Sequence, residues 1–160
     1  MGTKMDISEA IRTSIDAFNI VKCSPGAFVG GTTNARGDFD GTGNPTTIFK
    51  VTGDVLLRVF AVCVTNLAGA TATIELGVSG NTASLIAQET ATDIDANGIY
   101  LSATQVAGVV ALSTLPGPFI VANGLDIIET VGTANITGGE IYYVCLWRPL
   151  SPDGNVESAY

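Results

Sequence analysis

The chain has 160 residues, 46% apolar and 14% charged, with 7 basic and 15 acidic side chains, a net charge of −8 and no histidine. Charge this sparse, against an average of about 25%, excludes intrinsic disorder, which needs the reverse balance. No apolar run reaches the roughly 18 residues of a membrane helix, no basic segment leading into a long apolar stretch marks a secretory signal, and without histidine there is no Ser-His-Asp, Cys-His or HExxH chemistry.

A chain this long suits one domain of about 100–200 residues, burying roughly 70% of its unfolded surface. In residues 6–18, Ile7, Ile11, Ile15 and Phe18 recur at spacings of four, four and three, one face of a helix. Asp6 with Glu9 three residues on resembles a capping box. Such a short helix is marginal in isolation, so its apolar stripe must rest on its own domain or on a partner.

Residues 24–47 are rich in Gly, Asn, Asp and Pro, the residues of tight turns. An extended loop is expected there, with at most one short strand at 27–29. Strand signals follow at 48–51 and 55–65, rich in Val, Leu, Phe and Thr. In 71–78, Ala72, Ile74, Leu76 and Val78 alternate with polar residues, as in a wall with one buried face. Gly80-Asn81 turns into a strand at 83–88.

Asn123-Gly124 separates strands at 119–121 and 125–131 and predicts a hairpin between them. The run 140–148 is apolar on both faces, which predicts a central or doubly covered strand ended by Pro149 and Pro152. The polar tail from 151 reads as surface. The expected fold is all-β, an antiparallel jelly-roll-like β-sandwich with a short N-terminal helix or arm and a long Gly-rich loop. Residues 1–47 form the arm and loop, 48–150 the sandwich and 151–160 the tail.

Residues 59–147 hold Glu75, Glu89, Asp93, Asp95, Asp126, Glu129 and Glu140 and no basic residue. Nucleic-acid binding needs cations against phosphates, so no direct nucleic-acid partner is expected. Cys23, Cys63 and Cys145 form no metal or redox pattern. They read as reduced, buried thiols. A Cys63–Cys145 bridge would need those strands to be neighbours, which spacing alone leaves open.

Asp93, Asp95 and Asn97, followed by Gly98, match the first half of a calcium loop. Thr104 stands where a closing Glu belongs, so a strand-to-strand turn is the competing reading and no metal site is expected. Arg36-Gly-Asp38 is a tripeptide of some receptor ligands, but Asp38 and Asp40 read equally as turn residues or as a loop docked on a neighbour. The pairs Asp38/Asp40 and Asp93/Asp95 more often cap backbone amides than act as a glycosidase pair. Tyr100, Tyr142, Tyr143, Trp147 and Tyr160 suggest a sugar platform, against which three of them crowd one apolar strand. No catalytic set, and so no enzyme and no cofactor, is expected.

The segments D-I-S-E-A-I-R-T-S, A-R-G-D-F-D-G-T-G-N-P, V-T-G-D-V-L-L-R-V-F-A-V-C-V-T, A-T-I-E-L-G-V-S-G-N-T-A-S-L-I-A and I-Y-Y-V-C-L-W-R-P-L-S-P resemble small structural proteins of tailed bacteriophages. Most of the chain is covered, by style and short segments without a catalytic motif. The chain is similar to capsid decoration (cement) proteins, often β-sandwich or jelly-roll trimers. The resemblance implies a homotrimer on the capsid surface, made in the bacterial cytoplasm, that binds the major capsid protein at threefold or quasi-threefold axes and stabilises the shell. No membrane partner is implied. On this reading Ile7, Ile11, Ile15 and Phe18 grip the capsid protein, and Arg36, Asp38 and Asp40 dock the loop. The alternative is a receptor- or carbohydrate-binding head-fibre or tail module.

Overall fold

The computed structural model describes residues 18–160. The helix expected over 6–18, with Ile7, Ile11 and Ile15, lies outside them except for Phe18. In chain order the first strands are β1 (Asn19–Cys23), β2 (Thr46–Thr52), β3 (Val55–Ala68), β4 (Thr73–Val78) and β5 (Asn81–Thr90). They are followed by β6 (Gly98–Tyr100), β7 (Val106–Ala107), β8 (Phe119–Val121), β9 (Ile127–Gly132), β10 (Gly138–Pro149) and β11 (Asn155–Ser158).

The front sheet runs β1-β10-β3-β6-β7, with β8 also paired to β3; the back sheet runs β11-β2-β9-β4-β5. Every pairing is antiparallel. Apart from the short additions, β1-β10-β3-β6 faces β2-β9-β4-β5, the strand order of an eight-stranded jelly roll.

The core follows from alternation, since successive strand residues point to opposite faces. Val55, Leu57, Val59 and Ala61 of β3 and Ile141, Tyr143 and Cys145 of β10 point inward. They meet Ile74 and Leu76 of β4 and Ile127 of β9 in one cluster. A register shift between Thr47 and Phe49 turns both Ile48 and Phe49 inward, as a bulge allows. Tyr100 spans the layers: its hydroxyl lies 2.8 Å from the carbonyl oxygens of both Ile74 and Ala87 in the back sheet.

Several expectations are corrected. The sandwich extends beyond 48–150, taking in β1 from the expected arm and β11 from the expected tail. Val156 of β11 is buried, and Glu157 pairs across the ladder with Lys50. Residues 27–29 form no strand, within the expectation of at most one there. Asn123-Gly124 does not close a hairpin. Both residues have positive φ (59° and 66°), but the turn carries the chain from β8 in the front sheet to β9 in the back sheet. Asp54 accepts from the Asn123 N–H at 2.9 Å and Asp126 from the Val51 N–H at 3.0 Å, so the linker is bound to β2 and its turn.

β10 is central, between β1 and β3. Cys63 lies opposite Ile141 and Cys145 opposite Val59, four residues apart along the ladder. That is about 13 Å, beyond disulfide reach, and all three cysteines are free and buried. No helix among the described residues is long and apolar enough to cross a membrane.

Candidate functional site

Three regions of the molecule could carry function. The first is the Gly-rich loop over 24–45, which is laced to the sandwich by its own polar groups. The Phe28 and Gly30 N–H groups donate to Gly139 and Ile136 at 2.9 Å, and Ile136 returns a bond to the Gly37 carbonyl at 2.8 Å. A Cβ on Gly37 would sit 2.3 Å from the Ile136 oxygen, and its φ is +105°, so this crossing requires glycine. Asn44 pairs with Val131 as a strand residue would, donating at 2.7 Å and accepting at 2.9 Å.

Beneath the loop lies a buried ion pair. Arg36 donates from Nε to Glu129 Oε1 at 3.0 Å and from Nη2 to Oε2 at 2.6 Å, a bidentate fork. Its Nη1 donates to the Gly26 carbonyl, and its guanidinium stacks 3.9 Å from the Phe28 ring centre. The Tyr143 hydroxyl donates to Glu129 Oε2 at 2.8 Å. Burial works against the Arg36 charge, but Glu129 outweighs it and the guanidinium is held above its ordinary value. Burial, with the Glu129 charge beside it, pushes the Tyr143 phenol up as well. Both carboxylate oxygens are engaged and no substrate can reach them, so the chemistry of this cluster is to clamp the loop.

The expected docking residues therefore divide. Arg36 is turned into the domain, its guanidinium engaged by Glu129 and the Gly26 carbonyl. Asp38 is buried too, accepting from Gly31 N–H at 2.5 Å and Ala35 N–H at 3.2 Å. Only Asp40 is exposed, at the rim of a polar cleft of about 320 Å³ lined also by Thr32, Asn34 and Asn135. Sequence reasoning missed Glu129 and Tyr143. The available signal was register: Ile127, Glu129 and Val131 share the inward face of β9, where a carboxylate demands a cation.

The second region runs from 96 to 125, which contains no charged residue. Leu101 and Leu115 are buried with Leu146 on the outward face of the front sheet, joined by Phe60, Ile99, Val110 and Val144. Other side chains of the run point to solvent: Val109 is 91% exposed, Ile120 69% and Leu112 52%. Beside them an apolar groove of about 190 Å³ runs between β8 and β5, lined by Val78, Leu85, Phe119, Ile120 and Leu125.

The third region is the rest of that outward face. Ile20, Val62, Val64, Tyr142 and Val144 project from β1, β3 and β10. Lys22, Arg58 and Arg148 lie on the same side, and no outward position from Leu56 to Val64 or from Tyr142 to Arg148 is acidic. Lys22 sits 3.9 Å from the Tyr142 ring centre and Arg148 4.9 Å from that of Phe18. Arg58 is buried, donating from Nη1 to the Leu115 carbonyl, while its Nε has no hydrogen-bond partner among the described residues.

Asp93, Asp95 and Asn97 are all exposed; Asp93 ends a short 3-10 helix and residues 95–98 form a turn, with Asn97 at φ 67° and the Gly98 N–H donating to the Asp95 carbonyl at 3.0 Å. Among the described residues no group of three His, Cys, Asp or Glu is placed to hold a metal. Of the five aromatic residues, Tyr100 and Tyr143 are buried and Trp147 packs against the core, so those three offer no sugar platform, while Tyr142 is half-buried on the outward face and Tyr160 is exposed. Burial and the Asp95 charge raise the Cys63 thiol to about 11, and burial raises Cys145 further. No family model matches the chain, and neither does any curated protein or solved structure.

Proposed function

We propose that this protein is a structural component of a bacteriophage virion, a β-sandwich that decorates and stabilises the capsid by binding the major capsid protein as a homotrimer. One observation carries the reading: the uncharged 96–125 run displays Val109, Leu112, Ile120 and Leu125 to solvent, the last two lining an apolar groove. Depletion of charge with exposed apolar side chains is what the buried centre of a protein–protein interface requires. The clamp under the Gly-rich loop supports the same reading, because it spends the buried charges on rigidity. On this proposal the shell contact runs through 96–125, and the burial of Arg36 and Asp38 inside the domain supports that choice. The work of such a protein is mechanical, with burial at about 25 cal/mol per Å² repeated over many copies.

The test is co-sedimentation of the full chain with shells of the major capsid protein from the phage or prophage that encodes it. Binding that Val109→Asp and Ile120→Asp each weaken more than about tenfold, a loss of about 1.4 kcal/mol, with unchanged circular dichroism, supports the proposal. No binding, or binding indifferent to both substitutions, overturns it. Specific glycan recognition without shell binding would favour the receptor-binding module.

A further inference from the structure

We propose that the cleft between the Gly-rich loop and the turn from β9 to β10 binds a neutral saccharide, recognised through two adjacent ring hydroxyls. Thr33, Asn34, Asp38, Asp40 and Asn135 line it. Its volume of about 320 Å³ stands at the low end of small-ligand sites, which run from about 300 to 1,000 Å³. The polar groups along it fall into two sets, those that hold the loop and those left over.

The holding set is complete. Asp38 accepts with both carboxylate oxygens, from the Gly31 N–H at 2.5 Å and the Ala35 N–H at 3.2 Å. Asn34 Oδ1 accepts from the Thr42 N–H at 3.3 Å and from its hydroxyl at 2.5 Å. Asn135 Oδ1 accepts from the Phe39 N–H at 3.0 Å. These bonds orient both amides, because an engaged oxygen leaves Nδ2 on the other side of the amide plane. Among the described residues the Nδ2 groups of Asn34 and Asn135, the Thr33 hydroxyl and both oxygens of Asp40 have no partner. Asn135 Nδ2 stands at the cleft wall, 3.8 Å from where a Cβ on Gly31 would lie.

The leftover set pairs an acceptor with donors: Asp40 only accepts, and the two amides donate. A sugar hydroxyl does both, so neighbouring hydroxyls can donate to Asp40 and accept from Asn34 and Asn135. Other ligands fit less well. No cation lines the cleft, so an anion would meet Asp40 uncompensated. Calcium takes about six to eight oxygens, and those of Asp38 and Asn34 are already engaged. An apolar ligand would strand the donors without partners. Phe39, next to Asp40 in the chain and 44% exposed, adds apolar surface for the C–H face of a ring, and its backbone is held by Asn135 and Asn44.

The clamp beneath the loop gives the site its rigidity, through Arg36 on Glu129 and the Gly37–Ile136 crossing. A site fixed beforehand loses less freedom on binding. Its position leaves the apolar groove free. β8 pairs with Val55–Leu57 at one end of β3, whereas Asn135 stands beside Gly69, just past the other end, about 40 Å along the strand. The saccharide site goes beyond shell attachment and does not rest on it.

The experiment is titration of the isolated, nitrogen-15-labelled full chain with methyl glycosides of the common neutral hexoses, 6-deoxyhexoses and N-acetylhexosamines, read by amide shifts. At least one glycoside should move the signals of Gly31, Thr33, Gly41 and Asn135 and saturate in the millimolar range. Asp40→Ala should weaken that binding about tenfold or more, as loss of a hydrogen bond to a charged group does, with the rest of the spectrum unchanged. Asp93→Ala, at an exposed carboxylate elsewhere, should leave it intact. Silence with every glycoside, shifts spread over the whole surface, or indifference to Asp40→Ala would overturn the proposal. So would calcium or inorganic phosphate moving these signals while the glycosides do not. No capsid protein is present, so the outcome is independent of shell binding.

Discussion

The loop over 24–45 and the run over 96–125 are both long connections with little regular structure, yet they are held in different ways. The loop is fixed by charge and directional bonds: Arg36 on Glu129, Asp38 on two backbone amides, Asn44 on Val131. The later run, beyond the pairing of β6 and β8 to β3 and the Arg58 bond to the Leu115 carbonyl, is held by apolar contact, Leu101 and Leu115 resting on Leu146 and Phe60. Directional bonds specify one geometry and consume the groups that make them. Apolar contacts are less selective, and they leave Val109, Leu112 and Ile120 facing outward. The polar stretch is therefore the spent one, Asp40 and the cleft beside it excepted, and the apolar stretch the available one.

Substitutions can break this contrast. Glu129→Ala leaves Arg36 buried and unpaired, with an expected loss of about 3–5 kcal/mol in urea unfolding. Replacing both partners, Arg36→Met with Glu129→Leu, should recover most of that loss, because the cost lies in the orphaned charge. A loss below about 1 kcal/mol for Glu129→Ala would mean that charge does not hold the loop.

Leu115→Ala should cost about 2–3 kcal/mol, read as faster amide exchange confined to 101–118. Equal acceleration in the core strands would show that the run is not a separate layer. The effect of pH should be smaller. The Cys63 thiol stands at about 11 in the fold against an ordinary 9.0, so the unfolded chain releases that proton first. Stability should be level up to pH 9 and fall above it, Cys63 contributing up to about pH 11 and Cys145, raised further by burial, beyond that, with Tyr100 and Tyr143, both raised above 10.0, adding loss of the same sign at higher pH. Urea midpoints across that range test this, and Cys63→Ala should make its lower part shallower, leaving the slope that Cys145 contributes. Last, Val109→Ser should change stability by less than about 0.5 kcal/mol, because its side chain contacts mainly solvent.

Legibility followed the length of each local pattern. The strands at 48–51, 55–65, 71–78, 83–88, 119–121 and 140–148 were readable because alternation or continuous apolar character ran far enough to fix a face. β1 was not: of its five residues only Val21 and Cys23 point inward to the core, too few to stand out between a helical pattern and a turn-rich one. β11 hid for the same reason, with Val156 its only buried residue. Asn123-Gly124 was correctly placed as a turn. Its partners were not, because backbone φ sets how sharply a chain reverses and not which sheet receives it. Of the candidate site, Asp38 was legible as turn chemistry, whereas Arg36 and Glu129, 93 residues apart, had no local signal to join them.

The order of amino acids alone settled the all-β class, the two-faced β10 and the absence of charge from 96–125, because each depends on short-range periodicity or composition. Tertiary structure alone decided which sheet each strand enters, that Arg36 closes on Glu129 and Tyr143, and that the uncharged run lies partly outside the core. Those outcomes depend on which distant groups desolvate one another, a free energy that exists only once the sheets have met.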